Sequence, residues 1–270
     1  MKNAKKPRED IYSRITNQII ASLERGVKPW TQPWKAAHAA GPVSRPLRHN
    51  GEAYAGINVL TLWATATERA HAAPIWMTYK QAKQLGGHVR KGQKGAPVVY
   101  ADKILRSESE EVGATPQGDD DNVRVIPFLK SYTVFNVEQI EGLPEQYYNL
   151  ATNQPNPDQR IETAEAYYKS LGAVIQHTGK SACYIPSLDV IHIPRFEAFR
   201  DAESYYATLY HECVHWTRHA SRLNRDFGRK KFGDAGYARE ELVAEIGAAF
   251  VCADLGITCK DREDHAAYIS

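Results

Sequence analysis

Tyr210 to His219 reads YHECVHWTRH, with His211 and His215 four positions apart and Glu212 directly after the first. On a helix that spacing sets both imidazoles on one face, near enough to share one cation. Neutral imidazole nitrogens bind zinc at about 2.0–2.1 Å, and a carboxylate beside the first ligand can take a proton from water activated at the metal. The pattern predicts His211 and His215 as metal ligands and Glu212 as general base. Zn2+, or another divalent cation such as Mn2+, is the expected cofactor.

A catalytic zinc takes a third protein ligand. The form in which a third histidine follows is excluded, because its glycine position holds Arg218 and its histidine position holds Ser221. Downstream, EELVAE places Glu241 26 residues after His215, with Glu245 one helical turn further on the same face. Glu241 is the favoured ligand and Glu245 the carboxylate that orients a ligand histidine by hydrogen bonding, with the reverse assignment left open. His219 continues the four-residue spacing but falls one turn beyond the site. Cys213 points to another face of the helix and is expected in the core.

The elements that must position these groups follow from apolar periodicity and turn residues. DIYSRITNQIIASLERG, GINVLTLWATATERA and TYKQAKQLG read as helices. The sequences on either side of the acidic SESEEVGATPQGDDDN, GAPVVYADKILR and VRVIPFLKSYTVFNVEQI, read as strands of one hairpin. NLATNQPNPDQ has linker composition and sets a boundary near 150–158, giving units 1–150 and 151–270. Beyond it come the helix RIETAEAYYKSLG, short strands at AVIQ, ACYI and LDVIHIP, a long helix over DAESYYATLYHECVHWTRHASR, and a last helix over YAREELVAEIGAAFVCADLG. HAAYIS, where the chain stops, has the pattern of a further helix and suggests an incomplete C-terminus. The fold class is α+β with two domains.

Charge divides unevenly. Residues 1–106 carry 18 Lys and Arg against 6 Asp and Glu, a net +12, whereas residues 151–270 carry a net −3. A basic groove with aromatic faces is what single-stranded nucleic acid requires. The candidates in the Gly- and Pro-rich front segments are Lys28, Trp30, Trp34, Lys35, Arg45, Arg48, Tyr54, Arg90, Lys91 and Lys94, while Trp63 is assigned to a helix core. No run of about 18 apolar residues occurs and no apolar stretch follows the basic N-terminus, so neither membrane insertion nor secretion is expected. The four cysteines, without a C-x-x-C pair, suit free thiols in a reducing, cytoplasmic setting.

VKPWTQPW, YAGINVLTLW, WMTYKQAKQLGGHVRKGQKGAPVVY, YHECVHWTRHASRLNR and YAREELVAEIGAAFV together resemble the ArdC-type antirestriction proteins of conjugative plasmids, and the front of some plasmid TraC-type primases. The resemblance implies an N-terminal single-stranded-DNA-binding domain and a C-terminal zincin-like metallopeptidase domain that protect incoming plasmid DNA. The partners implied are single-stranded DNA and a protein substrate or restriction-system component. Two rivals stand beside that reading: a DNA-binding protein whose zincin domain is structural, and a metal-dependent nuclease, which two histidine ligands fit poorly. LDVIHIP is expected to be the strand edge that receives a peptide by β-addition.

Overall fold

The structure is a computed structural model describing residues 11–30, 44–107, 123–148, 157–228 and 234–257. Trp34, Lys35, residues 108–122 of the acidic insert, residues 149–156 of the linker and the closing HAAYIS lie outside the described residues, and the last linker residues already belong to a helix.

In the front half, α1 (Ile11–Glu24) and α2 (Ile57–Arg69) pack together, and α2 buries Val59, Leu62 and Trp63. α2 lies on a mixed sheet of β1 (Leu47–Arg48), β2 (Ile75–Thr78), β5 (Val123–Asn136) and β4 (Ala96–Ser107), in that spatial order. The expected hairpin is present: β4 and β5 pair antiparallel from Ala96↔Val134 to Ser107↔Val123. Gly95 enters β4 because a Cβ there would stand 2.7 Å from the Val134 carbonyl oxygen. Thr78 starts α3 (Tyr79–Gln84) with a reciprocal cap, its side chain accepting from Gln81 N while the Gln81 side chain accepts from Thr78 N. β3 (His88–Val89) and β6 (Ile140–Glu141) form a small second sheet.

In the back half, α4 (Pro157–Leu171) precedes β7 (Val174–His177), β8 (Cys183–Ile185) and β9 (Val190–Ile193). The sheet order is β7-β9-β8. α5 (Ala202–Trp216) is capped by Asp201, whose carboxylate accepts from Ser204 N at 2.8 Å, and packs Tyr205, Tyr206 and Tyr210 into the core. The helix stops at Trp216 instead of running to Arg222 as the composition suggested. Two guanidinium groups explain the stop: Arg225 donates to Val214 O and Arg222 to Trp216 O, satisfying carbonyls that another helical turn would have used.

α6 (Ala235–Leu255) crosses α5 closely, since a Cβ on Gly247 would stand 2.8 Å from a Val214 methyl. Its small residues face two ways. Ala248 and Cys252 join the back core, while Ala249 and Ala253 join the front core beside Trp30, Trp63 and Trp76. A back-half helix thus closes the front-half core. Among the described residues, no helix is long and apolar enough to cross a membrane.

Candidate metal centre

α5 is held in rotation by its tyrosines: Tyr210 donates to Ala164 O and Tyr206 to the Glu165 carboxylate, both at 2.8 Å. That fixes His211 and His215 on the face turned to α6, their ring centroids 4.7 Å apart. The two Nε2 atoms lie 3.1 Å apart. Glu241 on α6 brings Oε2 to 3.4 Å from His211 Nε2 and Oε1 to 3.5 Å from His215 Nε2. Four ligands at about 2.0–2.1 Å in a tetrahedron stand about 3.3 Å from one another. The measured separations are of that size, with one Glu241 oxygen facing each ring, so His211, His215 and Glu241 gather closely enough, and with the right donor types, to hold a divalent cation.

Glu240 fixes the histidine. His215 Nδ1 donates to Glu240 Oε1 at 3.2 Å, which turns the Nε2 lone pair toward His211 and Glu241. Glu240 is held in turn by Arg225, with Nε 2.9 Å from Oε2 and a terminal nitrogen 2.7 Å from Oε1. Burial pushes the Glu240 carboxyl up, but the hydrogen bonds from Arg225 and His215 outweigh it and hold its pKa at about 2. Burial likewise opposes ionisation of Glu241, and its histidine hydrogen bonds overcome that and lower it further. Burial disfavours charge on His215, yet Glu240, Glu241 and the nearby charge of Glu212 raise its pKa to about 9.

Glu212 is 4% exposed and follows His211 on the helix. Cys213 is buried, its thiol pushed up to about 12 first by desolvation, as a core residue behaves. His219 lies past the end of α5 and bonds Ser221 Oγ at 2.8 Å. A cleft of about 480 Å³ opens beside His215 and Glu241, walled by Tyr184, Pro186 and Tyr237.

Two expectations require correction here. Glu245 does not reach a histidine; its Oε2 is 4.0 Å from Lys28 Nζ, and Glu240 takes the orienting role. A residue one turn from Glu241 is displaced about 5.4 Å along α6, toward Lys28 of the front half, whereas its immediate neighbour reaches the far side of the His215 ring. The strand within LDVIHIP is the middle strand, paired on both sides, so it offers no edge; β8, next to the cleft through Tyr184, is an edge.

The front-half candidates also separate. Trp30 is 2% and Tyr54 7% exposed, both in the core, so neither ring is open to a base. Arg45 pairs with Asp254 of α6 and lies 5.3 Å from the Phe250 ring centroid. Arg48 pairs with Glu52 and covers Tyr54, and Arg90 donates to Glu138 O at 2.7 Å. Lys91 and Lys94 are exposed in the turn before β4. The sequence reading missed Glu240 and Arg225; the adjacent pair Glu240–Glu241 was a usable signal for the first, and nothing local marks the second.

Residues 9–135 match the family model for the N-terminal domain of anti-restriction factor ArdC, and residues 162–270 match that for a zincin-like metallopeptidase. The chain is 40% identical over 265 residues to the uncharacterized protein y4eC of Sinorhizobium fredii (strain NBRC 101917 / NGR234), covering 97% of this chain and 82% of that one. It is 37% identical to a DNA primase TraC of Escherichia coli, with all of this chain aligned to 25% of the primase, so it spans a quarter of that relative's length. The crystal structure of the antirestriction ArdC protein from the R388 plasmid superposes in its metal-free form with a TM-score of 0.73 at 44% identity, covering 96% of this chain and 86% of that one. The Mn(II)-bound form of the same protein gives 0.72 at 43%, with the same coverage. With both family models matched in order and the likeness running through nearly the whole chain, this protein belongs to the ArdC antirestriction family.

Proposed function

We propose that the chain binds a divalent cation, Zn2+ or Mn2+, through His211, His215 and Glu241, and uses it to hydrolyse peptide bonds, while the basic front half holds single-stranded DNA during protection of incoming DNA from restriction. The observation that carries the metal reading is the convergence of two ring nitrogens and one carboxylate within about 3.5 Å of one another, a donor set suited to a divalent cation. Mn(II) in the R388 relative supports the divalent character. The net +12 of residues 1–106 and the family of the front domain support the DNA reading. In this reading 1–150 is the DNA-binding unit and 151–270 the hydrolytic one.

A cation held there supplies Lewis acidity to a carbonyl and lowers the pKa of water. Glu212, buried and adjacent to the ligand His211, accepts the proton of the attacking water and returns it to the leaving amine. Glu240 keeps His215 in the tautomer with Nδ1 protonated, and Arg225 keeps Glu240 ionised. Protein substrate enters by the cleft beside Tyr184.

Glu212→Ala tests this reading, because it removes the proton acceptor and leaves the ligands. Transferred DNA in restricting recipients should lose protection while metal and oligonucleotide binding persist. Full protection by the variant would show that coating of DNA, without hydrolysis, carries the function.

A further inference from the structure

Single strands are held by aromatic rings on which bases stack and by cations that follow the phosphates. The tryptophans do not supply the rings in the described front half: Trp30, Trp63 and Trp76 are all buried, at 2%, 6% and 1%. Trp216 lies in the back half beneath the Arg222 guanidinium, 3.8 Å from its ring centroid. Among the described residues of the front half, the large exposed rings are tyrosines. Tyr148 is tied down, its hydroxyl donating to Ile140 O and accepting from Leu143 N. Tyr79 stands by itself at the start of α3.

Tyr100 and Tyr132 share one face of the front sheet. Register pairs Tyr100 with Lys130 and Val98 with Tyr132, so all four side chains lie on one face of the β4–β5 ladder. That face is buried at Ala96, Val98 and Val134, where α2 covers it. Beyond the helix it emerges, with Tyr100 46% and Tyr132 44% exposed and Lys130 exposed. The two tyrosines are diagonal neighbours on adjacent strands, about 7–8 Å apart at the backbone. Two rings so placed are how sheet-based RNA-binding modules stack successive bases.

We propose that Tyr100 and Tyr132, with Lys130 between them, form a stacking platform for two consecutive bases of single-stranded DNA. The inference rests on the single-strand reading above and locates it on the sheet face. Lys130, opposite Tyr100, is placed to meet the phosphate that joins the two stacked nucleotides. Lys91 and Lys94, in the turn that leads into β4, continue the positive charge toward the same strand. The flat rings select unpaired bases over a duplex whose bases are stacked inside.

The test is binding of labelled oligo(dT) to the full-length protein, read by anisotropy over a range of salt, with melting temperature followed in parallel. Tyr100→Ala and Tyr132→Ala should each weaken binding about 5- to 150-fold. Tyr100→Phe and Tyr132→Phe should bind as wild type, because the ring and not the hydroxyl is used. Lys130→Gln should lower the slope of log affinity against log salt by about 0.7. Photo-cross-linking of an iodouracil-containing strand to the wild-type chain should mark Tyr100 or Tyr132, which reads contact without any substitution. Wild-type binding that both alanine variants retain, or cross-links confined to other residues, would overturn the platform. No binding of oligo(dT) by wild type would overturn the single-strand reading and the platform with it. Oligo(rU) bound with the same dependence on the rings would support the platform and widen its ligand to single strands of either sugar.

Discussion

The metal cluster and the tyrosine face solve opposite problems. Around His215 polar groups fix one another in a chain: His215 by Glu240, Glu240 by Arg225, Arg225 by Thr217 and Val214. On the hairpin, Tyr100 and Tyr132 are placed by strand register, with about half of each ring in solvent. A cation demands donor positions good to a few tenths of an ångström, which a dry cluster of paired charges provides. A flexible strand demands area and charge at the surface, which a rigid ladder provides. The difference teaches that the same chain can use buried, paired charge for precision and, in the proposal above, exposed aromatic surface for capture.

The largest effect that tests this contrast is loss of metal. Glu241→Ala removes one of three ligands and should abolish tight binding in metal titrations. Glu240→Ala removes only the support of His215 and should cost about 10- to 100-fold. Glu245→Ala, whose carboxylate faces Lys28, should change metal affinity little. Equal losses for Glu245 and Glu241 would break the assignment of roles along α6.

A smaller effect separates core aromatics from contact aromatics. Trp30→Ala should destabilise the protein by about 3–5 kcal/mol, the usual cost of deleting a buried tryptophan, and lower the melting temperature. At temperatures where the variant stays folded, oligonucleotide affinity should be unchanged. Weakened binding without loss of stability would return Trp30 to the DNA surface.

The smallest effect concerns Glu138, the front half's own paired carboxylate. Burial raises its pKa, but the hydrogen bond from His71 and those from the Ala73 and Ala72 amides outweigh burial and leave it below the ordinary range. A carboxyl lowered by folding stabilises above its unfolded value, near about 4.3, and that contribution is lost as pH falls through the folded value. Glu138→Gln should therefore be less stable than wild type at neutral pH, with the gap closing in acid melts below about pH 4.3. A gap that stays constant would show that ionisation of Glu138 contributes nothing.

The histidines and Glu212 were legible because four-residue spacing is a local property of any helix. Glu241 was legible for the same reason, once a second helix with acids followed. Glu240 was missed because the choice between neighbours depends on how α6 crosses α5, which Gly247 against Val214 decides. Arg225 acts across a loop whose path no period encodes. The hairpin could be read from its alternation, yet alternation cannot say where α2 stops covering the face, so Trp30 and Tyr54, both buried, were singled out instead of Tyr100 and Tyr132. Strand order in the back sheet was equally hidden: short strands of similar composition do not reveal that β9 lies in the middle.

The sharing of α6 between two cores has a consequence for synthesis on the ribosome. The front-half residues up to 150 emerge about a hundred residues before Leu255, the last residue of α6. At roughly 5–20 residues per second, the apolar surface beside Trp30 and Trp63 waits roughly 5–20 s for Ala249, Phe250 and Ala253 to arrive. During that interval the nascent front half is an incomplete fold exposed to chaperones and to other chains, and it is completed only when the metal-bearing helix has been made.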